Sequence, residues 1–354
     1  MSDSLDLKGF ADQLNAAYRD YVYKKTKKDY KELVNSYRDT VMRSPLGKQL
    51  PSLFASIMKY EDPVAQEAAL DSIDLEKIYK GVDDRTQAQE SKKAKGEKLD
   101  VEWGYTDFIV MELLKWFKHD FFKWTNEPEA TPNQGKPRLI SVEAPSPEEA
   151  RDGNAGRTEI YQCQDGSIIR YPRYNDPVKL LSTRNGRCGE WANCFCLLLR
   201  ALGIRTRYIW NAEDHVWCEV YSESQKRWIH VDSCEEAYDN PTLYNKGWGK
   251  QMSYVLAFGL DGVADVSKRY VVDEDKKLPR NRISEADLQK ILRFLTVNQR
   301  KDRSKTEVYK LEIEDSVEQM ELFGKKPLYA QGDIVQPRQS GSAQWVNQRG
   351  EGGS

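Results

Sequence analysis

Apolar residues recur at helical spacing near the N terminus of the chain. The segment from Leu5 to Arg43 is rich in Tyr, Lys, Asp and Leu, and its large apolar side chains lie three or four positions apart. They include Phe10, Leu14, Tyr18 and Tyr21. This spacing predicts one long helix or two consecutive helices.

Three contrasting patterns follow in the first half of the chain. Residues from Asp83 to Lys98 have almost no apolar content and predict an exposed loop. A wide apolar stripe from Asp107 to Trp124 predicts a helix. The stretch from Asn126 to Arg157 is rich in Pro, Glu, Gly and Ala without periodicity, which predicts a mobile insertion ahead of the β-like run Thr158 to Tyr161.

The centre of the chain combines one apolar helix with alternating strands. The run from Glu190 to Leu202 is apolar at helical spacing, and Gly203 is placed to end it. Polar breaks then separate three predicted strands of one antiparallel sheet: Thr206–Trp210, His215–Tyr221 and Arg227–Asp232. A further strand and two helices are predicted at Tyr254–Phe258, Ile283–Asn298 and Glu307–Phe323. The pattern predicts an α+β fold in which a helix packs on an antiparallel sheet.

Composition and charge narrow the range of functions. The chain has 354 residues and a net charge of −2 with 31% charged residues, so no global basic field suggests nucleic acid or a membrane surface as the partner. Residues 1–4 lack the features of a signal peptide, and no run is apolar enough to span a bilayer. Six scattered cysteines then favour reduced thiols in a soluble intracellular protein.

One cysteine stands where a reactive thiol is expected. Cys188 precedes the apolar helix directly, and a thiolate at a helix start is stabilised by the helix dipole. Strand alternation places His215 on the polar face of its strand and places His230 and Asp232 together on the polar face of the next. A Cys, His, Asp site is therefore available, with His215 and His230 as rival bases.

The other cysteines have simpler explanations. Cys194 and Cys196 fall inside the apolar helix, and Cys218 and Cys234 belong to the predicted sheet region, so packing accounts for them. No two cysteines form a C-x-x-C pair, and no metal site is predicted.

Several long motifs resemble those of the cytoplasmic peptide:N-glycanases, a family of the transglutaminase-like superfamily. The resemblance is to the short fungal form and spans nearly the whole chain, with a looser match at the N terminus. The motifs are Tyr171–Pro177, Gly186–Trp191, Asp214–Trp217, His230–Glu235, Val266–Tyr270 and Gly341–Trp345. It implies a transglutaminase-like, papain-like core with N- and C-terminal helices.

The resemblance also implies which residues act. The family's triad falls on Cys188, His215 and Asp232, which selects His215 over His230. The implied reaction is hydrolysis of the amide that joins a glycan to asparagine, through a thioester. Candidate glycan contacts are Glu235, Trp124, Trp217, Trp228 and Trp248. Trp124 is alternatively a donor to the oxyanion, and any of these tryptophans could instead be core residues.

The sequence departs from the family at its structural zinc. Two C-x-x-C pairs hold this metal in the family, and here the corresponding runs are Ala130-Thr131-Pro132-Asn133 and Cys163-Gln164-Asp165-Gly166. One ligand of four remains, so we expect the zinc to be absent and no cofactor to be bound.

The resemblance implies the partners and the location of such a protein. It predicts denatured N-glycoproteins with high-mannose glycans as substrates, and a ubiquitin-receptor shuttle protein linked to the proteasome as a partner of the terminal helices. It places the protein in the cytoplasm, with the nucleus as a second compartment, in ER-associated degradation. Neither nucleic acid binding nor membrane insertion is expected.

Together these features define six predicted segments and three competing functions. The segments are an N-terminal helical segment (1–82), a loop and core helix (83–125), an insertion with the degenerate zinc region (126–170), the catalytic core (171–275), a C-terminal helical segment (276–330) and a disordered tail (331–354). The leading function is a deglycosylating amidase. The alternatives are a catalytically weak scaffold of the same fold and a protein-crosslinking transglutaminase.

Overall fold

A computed structural model describes residues 7–324 and 338–352 of the chain. Its helices are α1 (Leu7–Met42), α2 (Pro45–Ser56), α3 (Pro63–Ser72), α4 (Leu75–Ala94), α5 (Tyr105–Trp116), α6 (Pro147–Gly153), α7 (Pro177–Thr183), α8 (Cys188–Ala201), α9 (Ser267–Tyr270), α10 (Glu285–Arg300), α11 (Lys305–Phe323) and α12 (Ala343–Gln348). Its strands are β1 (Lys123–Trp124), β2 (Arg138–Glu143), β3 (Ala155–Gln162), β4 (Ile168–Tyr174), β5 (Asn185–Gly186), β6 (Thr206–Asn211), β7 (His215–Ser222), β8 (Arg227–Asp232), β9 (Ala237–Tyr238), β10 (Val255–Gly259) and β11 (Gly262–Asp265).

The described residues divide into two compact units. The first contains residues up to 57, 256–268 and 279–324, in which α1 packs on α10 and α11, and β10 pairs with β11 in an antiparallel hairpin. Apolar residues of α10, such as Leu288, Ile291 and Leu295, are buried in this unit. Their spacing of three and four positions is the pattern that predicts this helix.

The second unit carries the predicted core. In it β6, β7, β8 and β9 form consecutive antiparallel pairs, and α8 packs on β6 and β7. Strands β2, β3 and β4 form a separate three-stranded antiparallel sheet. The predicted α+β class and its helix-on-sheet core are confirmed, since the run from Glu190 to Leu202 lies in α8 and Gly203 follows it with φ +72°.

Two expectations for the first half of the chain are wrong. Residues 83–98 were expected to form a loop, but most of them continue α4, because Ile78 and Val82 at its start are buried and Arg85 pairs with Glu112 of α5 at 2.5 Å. The insertion expected to be mobile contains β2 and α6. Helix α6 is stabilised by a capping box, in which Ser146 accepts from the Glu149 N–H at 3.1 Å.

Two expected boundaries also change. The helix was expected to reach Trp124, but its α-helical part ends at Trp116. A π-helical turn follows over Phe117–Phe121, and Trp124 lies in β1. The tail expected to be disordered from position 331 is folded over residues 338–352, where it contains α12; positions 331–337, 353 and 354 lie outside the described residues. Within the described residues, no helix is both long enough and apolar enough to cross a bilayer.

Candidate active site

Cys188 is the first residue of α8. The residue before it, Arg187, has the extended backbone of an N-cap, and its N–H donates to a carboxylate oxygen of Glu190 at 3.0 Å. A helix start carries free N–H groups and partial positive charge. The half-buried thiol of Cys188 therefore stands at the electropositive end of a helix whose residues 190–199 are buried.

Two buried glutamates and two partly buried arginines hold this helix start in place. The Arg173 guanidinium binds both oxygens of Glu190 at 2.6 and 2.7 Å and reaches Glu159 at 2.9 Å. Arg187 also pairs with Glu159, at 2.8 Å. Burial alone would raise the pKa of Glu159, but Arg187 and Arg173 lower it to about 2. We call these four residues the charged cluster; it connects the start of α8 to β3 and β4.

His215 and Asp232 meet deep in the sheet. His215 begins β7 and Asp232 ends the neighbouring antiparallel strand β8. The His215 Nε2 atom lies 3.0 Å from Asp232 Oδ2, and both side chains are about 1% exposed or less. The other ring nitrogen, Nδ1, is buried and has no further partner within residues 7–324 and 338–352, so it is the nitrogen available to the Cys188 thiol.

Asp232 accepts hydrogen bonds at both of its oxygens. Its Oδ2 atom receives the Tyr244 hydroxyl at 2.7 Å besides the His215 contact, and its Oδ1 atom receives the Cys234 N–H at 2.8 Å. Burial by itself would raise the pKa of Asp232, but these donors and the nearby His215 lower it below its usual range. The carboxylate is therefore ionised and fixed in orientation.

His230, the rival base, faces Tyr244 instead of the thiol. Its Nδ1 atom accepts the Asn240 N–H at 3.3 Å, so the neutral ring carries its proton on Nε2 and donates it to the Tyr244 oxygen at 2.7 Å. Burial lowers the pKa of His230 to about 4. A chain of donors thus runs from His230 through Tyr244 to Asp232, and the sequence reasoning did not identify Tyr244 as part of it.

The thiol and the imidazole shift each other's protonation. Burial opposes charge on His215, but the hydrogen bond to Asp232 and the neighbouring Cys188 thiol raise the pKa of the imidazole. Burial likewise opposes a thiolate, but the neighbouring His215 imidazole, followed by the charge of Arg338, lowers the pKa of Cys188. Both shifts favour a thiolate–imidazolium pair.

Three of the candidate tryptophans are interior residues. Trp217 and Trp248 are almost completely buried, and their rings pack against the His215 ring at 5.5 and 5.2 Å between centroids. They form the wall behind the imidazole. Trp228 lies four positions before Asp232 on β8 and packs under the Arg207 guanidinium at 3.9 Å, so the structure does not bring it to the triad.

Trp124 and Glu235 lie half-buried beside the triad. Pairing of β1 with β5 places Trp124 next to the start of α8, and its indole N–H donates to Asn126 Oδ1 at 2.9 Å. The Glu235 carboxylate accepts the N–H groups of Gln339 and Ser340 at 2.9 and 3.1 Å. The chain's own C-terminal segment therefore reaches this region, which the sequence reasoning did not foresee.

The positions of the family's zinc ligands do not form a metal site here. The Gln134 side chain receives the Thr131 N–H at 2.8 Å and donates to Ser167 Oγ at 3.1 Å, while Cys163 is buried. Nowhere in residues 7–324 and 338–352 do three or more His, Cys, Asp or Glu side chains group as metal ligands. One thiol does not fit a four-ligand zinc site.

The helix-on-sheet fold is that of the transglutaminase-like superfamily. A family model described as Transglutaminase-like superfamily matches residues 142–233, and one described as Rad4 transglutaminase-like domain matches residues 211–323. Among solved structures, "Crystal structure of Rad4-Rad23 crosslinked to an undamaged DNA" is similar with a TM-score of 0.44 at 15% identity, over 83% of this chain and 60% of that one.

Curated relatives give a narrower assignment. A Yarrowia lipolytica protein named peptide-N(4)-(N-acetyl-beta-glucosaminyl)asparagine amidase is 46% identical over 83% of this chain and 81% of the relative. The Saccharomyces cerevisiae protein of the same name is 40% identical over 99% of this chain and 98% of the relative. The Gallus gallus protein of that name is 41% identical over 84% of this chain and 45% of the relative. The chain belongs to this family of amidases.

Proposed function

We propose that this protein cleaves the amide bond between an N-linked glycan and its asparagine side chain, with Cys188 as the nucleophile. One observation carries the proposal: a buried His215–Asp232 pair, 3.0 Å apart, leaves one imidazole nitrogen for a thiol at a helix start. Family membership supports the choice of bond.

The chemistry follows from these positions. The Cys188 sulfur attacks the side-chain carbonyl carbon of the glycosylated asparagine, and free N–H groups at the start of α8 are suited to stabilise the resulting oxyanion. The His215 imidazolium gives its proton to the departing nitrogen, which releases a glycosylamine and leaves a thioester. His215 then accepts a proton from water, which attacks the thioester to give aspartate and the free thiol.

Denatured N-glycoproteins with high-mannose glycans are the proposed substrates, and the cytoplasm, with the nucleus as a second compartment, is the proposed location. Both rest on the family, as does a role in ER-associated degradation. Glu235 and Trp124 are the proposed glycan contacts, because they lie half-buried beside the triad. Trp217 and Trp248 would act as the wall behind His215, since their rings are buried.

Deglycosylation of a denatured glycoprotein tests the proposal. We expect wild type to convert the glycosylated asparagine to aspartate, read by mass spectrometry, and Cys188→Ala to lose this activity. Cys163→Ala, which removes another buried thiol outside the site, is the matched control and should keep it. Failure of folded wild type would favour the scaffold alternative, and incorporation of an added amine at the acyl group would favour the transglutaminase.

We also propose that the protein works without the family's zinc. Hydrogen bonds of Gln134 connect the Thr131 turn to Ser167, so ordinary polar contacts link the two segments that the metal joins in the family.

The proposed partner is a ubiquitin-receptor shuttle protein that docks on α1. Phe10, Leu14 and Tyr21 on this helix are 59–65% exposed, and together they suit a helix-in-groove contact. Titration calorimetry with the shuttle protein should show weaker binding by Phe10→Ser/Leu14→Ser. Val64→Ser removes an apolar side chain elsewhere that is 73% exposed and should bind like wild type. Equal affinity of all three proteins would contradict this partner.

A further inference from the structure

The C-terminal segment of residues 338–352, here called the tail loop, is closed on itself by a buried ion pair. The Arg338 and Glu351 side chains bind each other, and the Arg338 N–H donates to the Glu351 carbonyl at 3.2 Å. Although both residues are charged, Arg338 is 5% and Glu351 0% exposed. Ions are buried in this way where they are paired, so the tail loop has a defined structure.

Side chains of the second unit hold the tail loop in place. Lys250 donates to Glu351 at 2.7 Å, and Arg349 donates both to the side chain of Asp214 at 2.8 Å and to its carbonyl at 2.6 Å. Asp214 directly precedes His215 and has a left-handed backbone, φ +59°. The tail loop is thus anchored one residue away from the proposed general base.

The tail loop also covers the proposed glycan contacts. Its Gln339 and Ser340 N–H groups donate to the two oxygens of Glu235, and its Ser342 N–H donates at 3.1 Å to the Asn126 oxygen that receives the Trp124 indole. The planar Arg338 guanidinium lies 5.4 Å from the centre of the Trp124 ring. The Trp345 ring packs edge-on against the same indole, at 5.6 Å.

These contacts resemble the chemistry of sugar recognition. A carboxylate that binds a sugar accepts hydrogen bonds from hydroxyl groups, and here two amide donors take that role. An indole face that would stack on a sugar ring is covered here by a flat cation. A glycan and the tail loop would therefore compete for Glu235 and Trp124.

We propose that the tail loop is an internal competitor that occludes the glycan cleft and must be displaced before a glycosylated asparagine can reach Cys188. This inference rests on the proposed function for the identity of the ligand. Loosening the loop should lower the KM for a glycopeptide several-fold and leave kcat unchanged, because a competing closed state reduces apparent affinity by the fraction that is open.

Gln339→Pro in the full chain is the primary test, because proline removes the N–H that binds Glu235. Gln339→Ala changes the same exposed side chain but keeps that N–H, and it is the matched control. Glu351→Gln, which breaks the ion pair that closes the loop, is an independent second variant. Each is compared with wild type in glycopeptide kinetics and in the rate of Cys188 alkylation by iodoacetamide.

Alkylation reports cleft access without relying on deglycosylation, since the other five cysteines are buried. We expect Gln339→Pro and Glu351→Gln to be alkylated several-fold faster and to have a lower KM, with Gln339→Ala like wild type. Unchanged alkylation and KM in both variants would overturn the proposal, and so would a fall in kcat with a higher KM, because the loop would then complete the site. If no protein deglycosylates, the proposed function fails and alkylation alone decides occlusion.

Discussion

Tyr244 donates its hydroxyl hydrogen to the same Asp232 oxygen that lies 3.0 Å from His215 Nε2. The Asp232 carboxylate is therefore oriented by a phenol as well as by the imidazole. A neutral His230 in turn orients the phenol, because it donates to the Tyr244 oxygen at 2.7 Å. In the proposed mechanism Tyr244 would act through Asp232, as a positioning residue.

Replacing Tyr244 by Phe should slow the amidase by roughly tenfold and lower the free energy of unfolding by about 1–3 kcal/mol, because a buried His230 N–H loses its acceptor. The acidic limb of the kcat/KM profile should also move to higher pH, because the variant lacks the Tyr244 hydrogen bond that helps to lower the pKa of Asp232. Tyr60→Phe removes a different buried hydroxyl, which donates to Asn193 at 2.8 Å, and should affect stability without moving the pH profile. Equal profiles for the two variants would contradict the positioning role.

Because the pKa of Cys188 is lowered, its thiol should be alkylated at a lower pH than an ordinary cysteine. Iodoacetamide should modify the wild-type thiol with a midpoint at lower pH than that of an ordinary free cysteine. His215→Ala removes the imidazole that favours the thiolate, so burial should then raise the midpoint above that of wild type. His119→Ala, at an exposed histidine, is the control and should follow wild type.

Buried His230 predicts a loss of stability in weak acid. Its pKa is lowered from 6.5 to about 4 in the folded protein, so its contribution is complete above pH 6.5 and is lost as the pH falls toward 4. The loss should amount to about 3 kcal/mol over that range. The pKa of His215 is raised, so below pH 6.5 this side chain is charged in the folded and in the unfolded protein. It therefore does not make the free energy of unfolding depend on pH in that range.

Urea unfolding of wild type and His230→Gln between about pH 7 and about pH 5 measures this effect. The variant should be less stable at neutral pH and should show a shallower decline in acid. If the stabilities of wild type and His230→Gln declined in parallel with falling pH, His230 would not be the source of the loss. The carboxylates are the same in both proteins, so their contribution cancels in the difference.

The charged cluster predicts a large penalty for Arg173→Met. This change leaves Glu190 and Glu159 buried with one cation fewer, and breaking a buried pair costs about 3–5 kcal/mol. Arg151→Met removes an exposed pair with Asp152 and should change stability by less than about 0.5 kcal/mol. Similar melting temperatures for the two variants would show that the cluster does not stabilise the fold.

Exposure to a strong chelator, followed by dialysis, should leave the deglycosylation rate and the melting temperature unchanged. Only Cys163 remains of the four ligand positions, and it is buried. Elemental analysis should find zinc well below one ion per chain. Stoichiometric zinc, or a lower melting temperature after chelation, would contradict the proposal of zinc-independent activity.

Strand alternation and helix position are local rules, and they supplied the candidates Cys188, His215, His230 and Asp232, while the choice of His215 over His230 came from the family resemblance. The two rules place His215 and Asp232 on a polar face and Cys188 at a helix start, as the structure has them. Alternation gives the face of a strand but not the position along it. Trp228 shares the face of Asp232 yet lies four residues away, about 13 Å along the strand.

Long-range pairs explain what the sequence could not reveal. The polar composition of residues 83–98 predicts a loop, but the helix there is supported by contacts distant in sequence, namely the Arg85–Glu112 pair and packing against α5. The tail reads as disordered because its Gly, Ser and Gln content hides the pairing of Arg338 with Glu351. Neither pair is visible in local composition, and tertiary contacts of this kind override propensity.

The crossing of two indoles gives the tail loop an optical signature of its own. Trp124 and Trp345 lie 5.6 Å apart with their planes inclined by 67°. Transition dipoles that are close and not parallel couple, and coupled indoles give a split band in circular dichroism. This band requires the tail loop to be in its closed position, so its amplitude reports how much of the unlabelled protein has an occluded cleft. A difference spectrum against Trp345→Phe isolates the band from the other seven of the nine tryptophans.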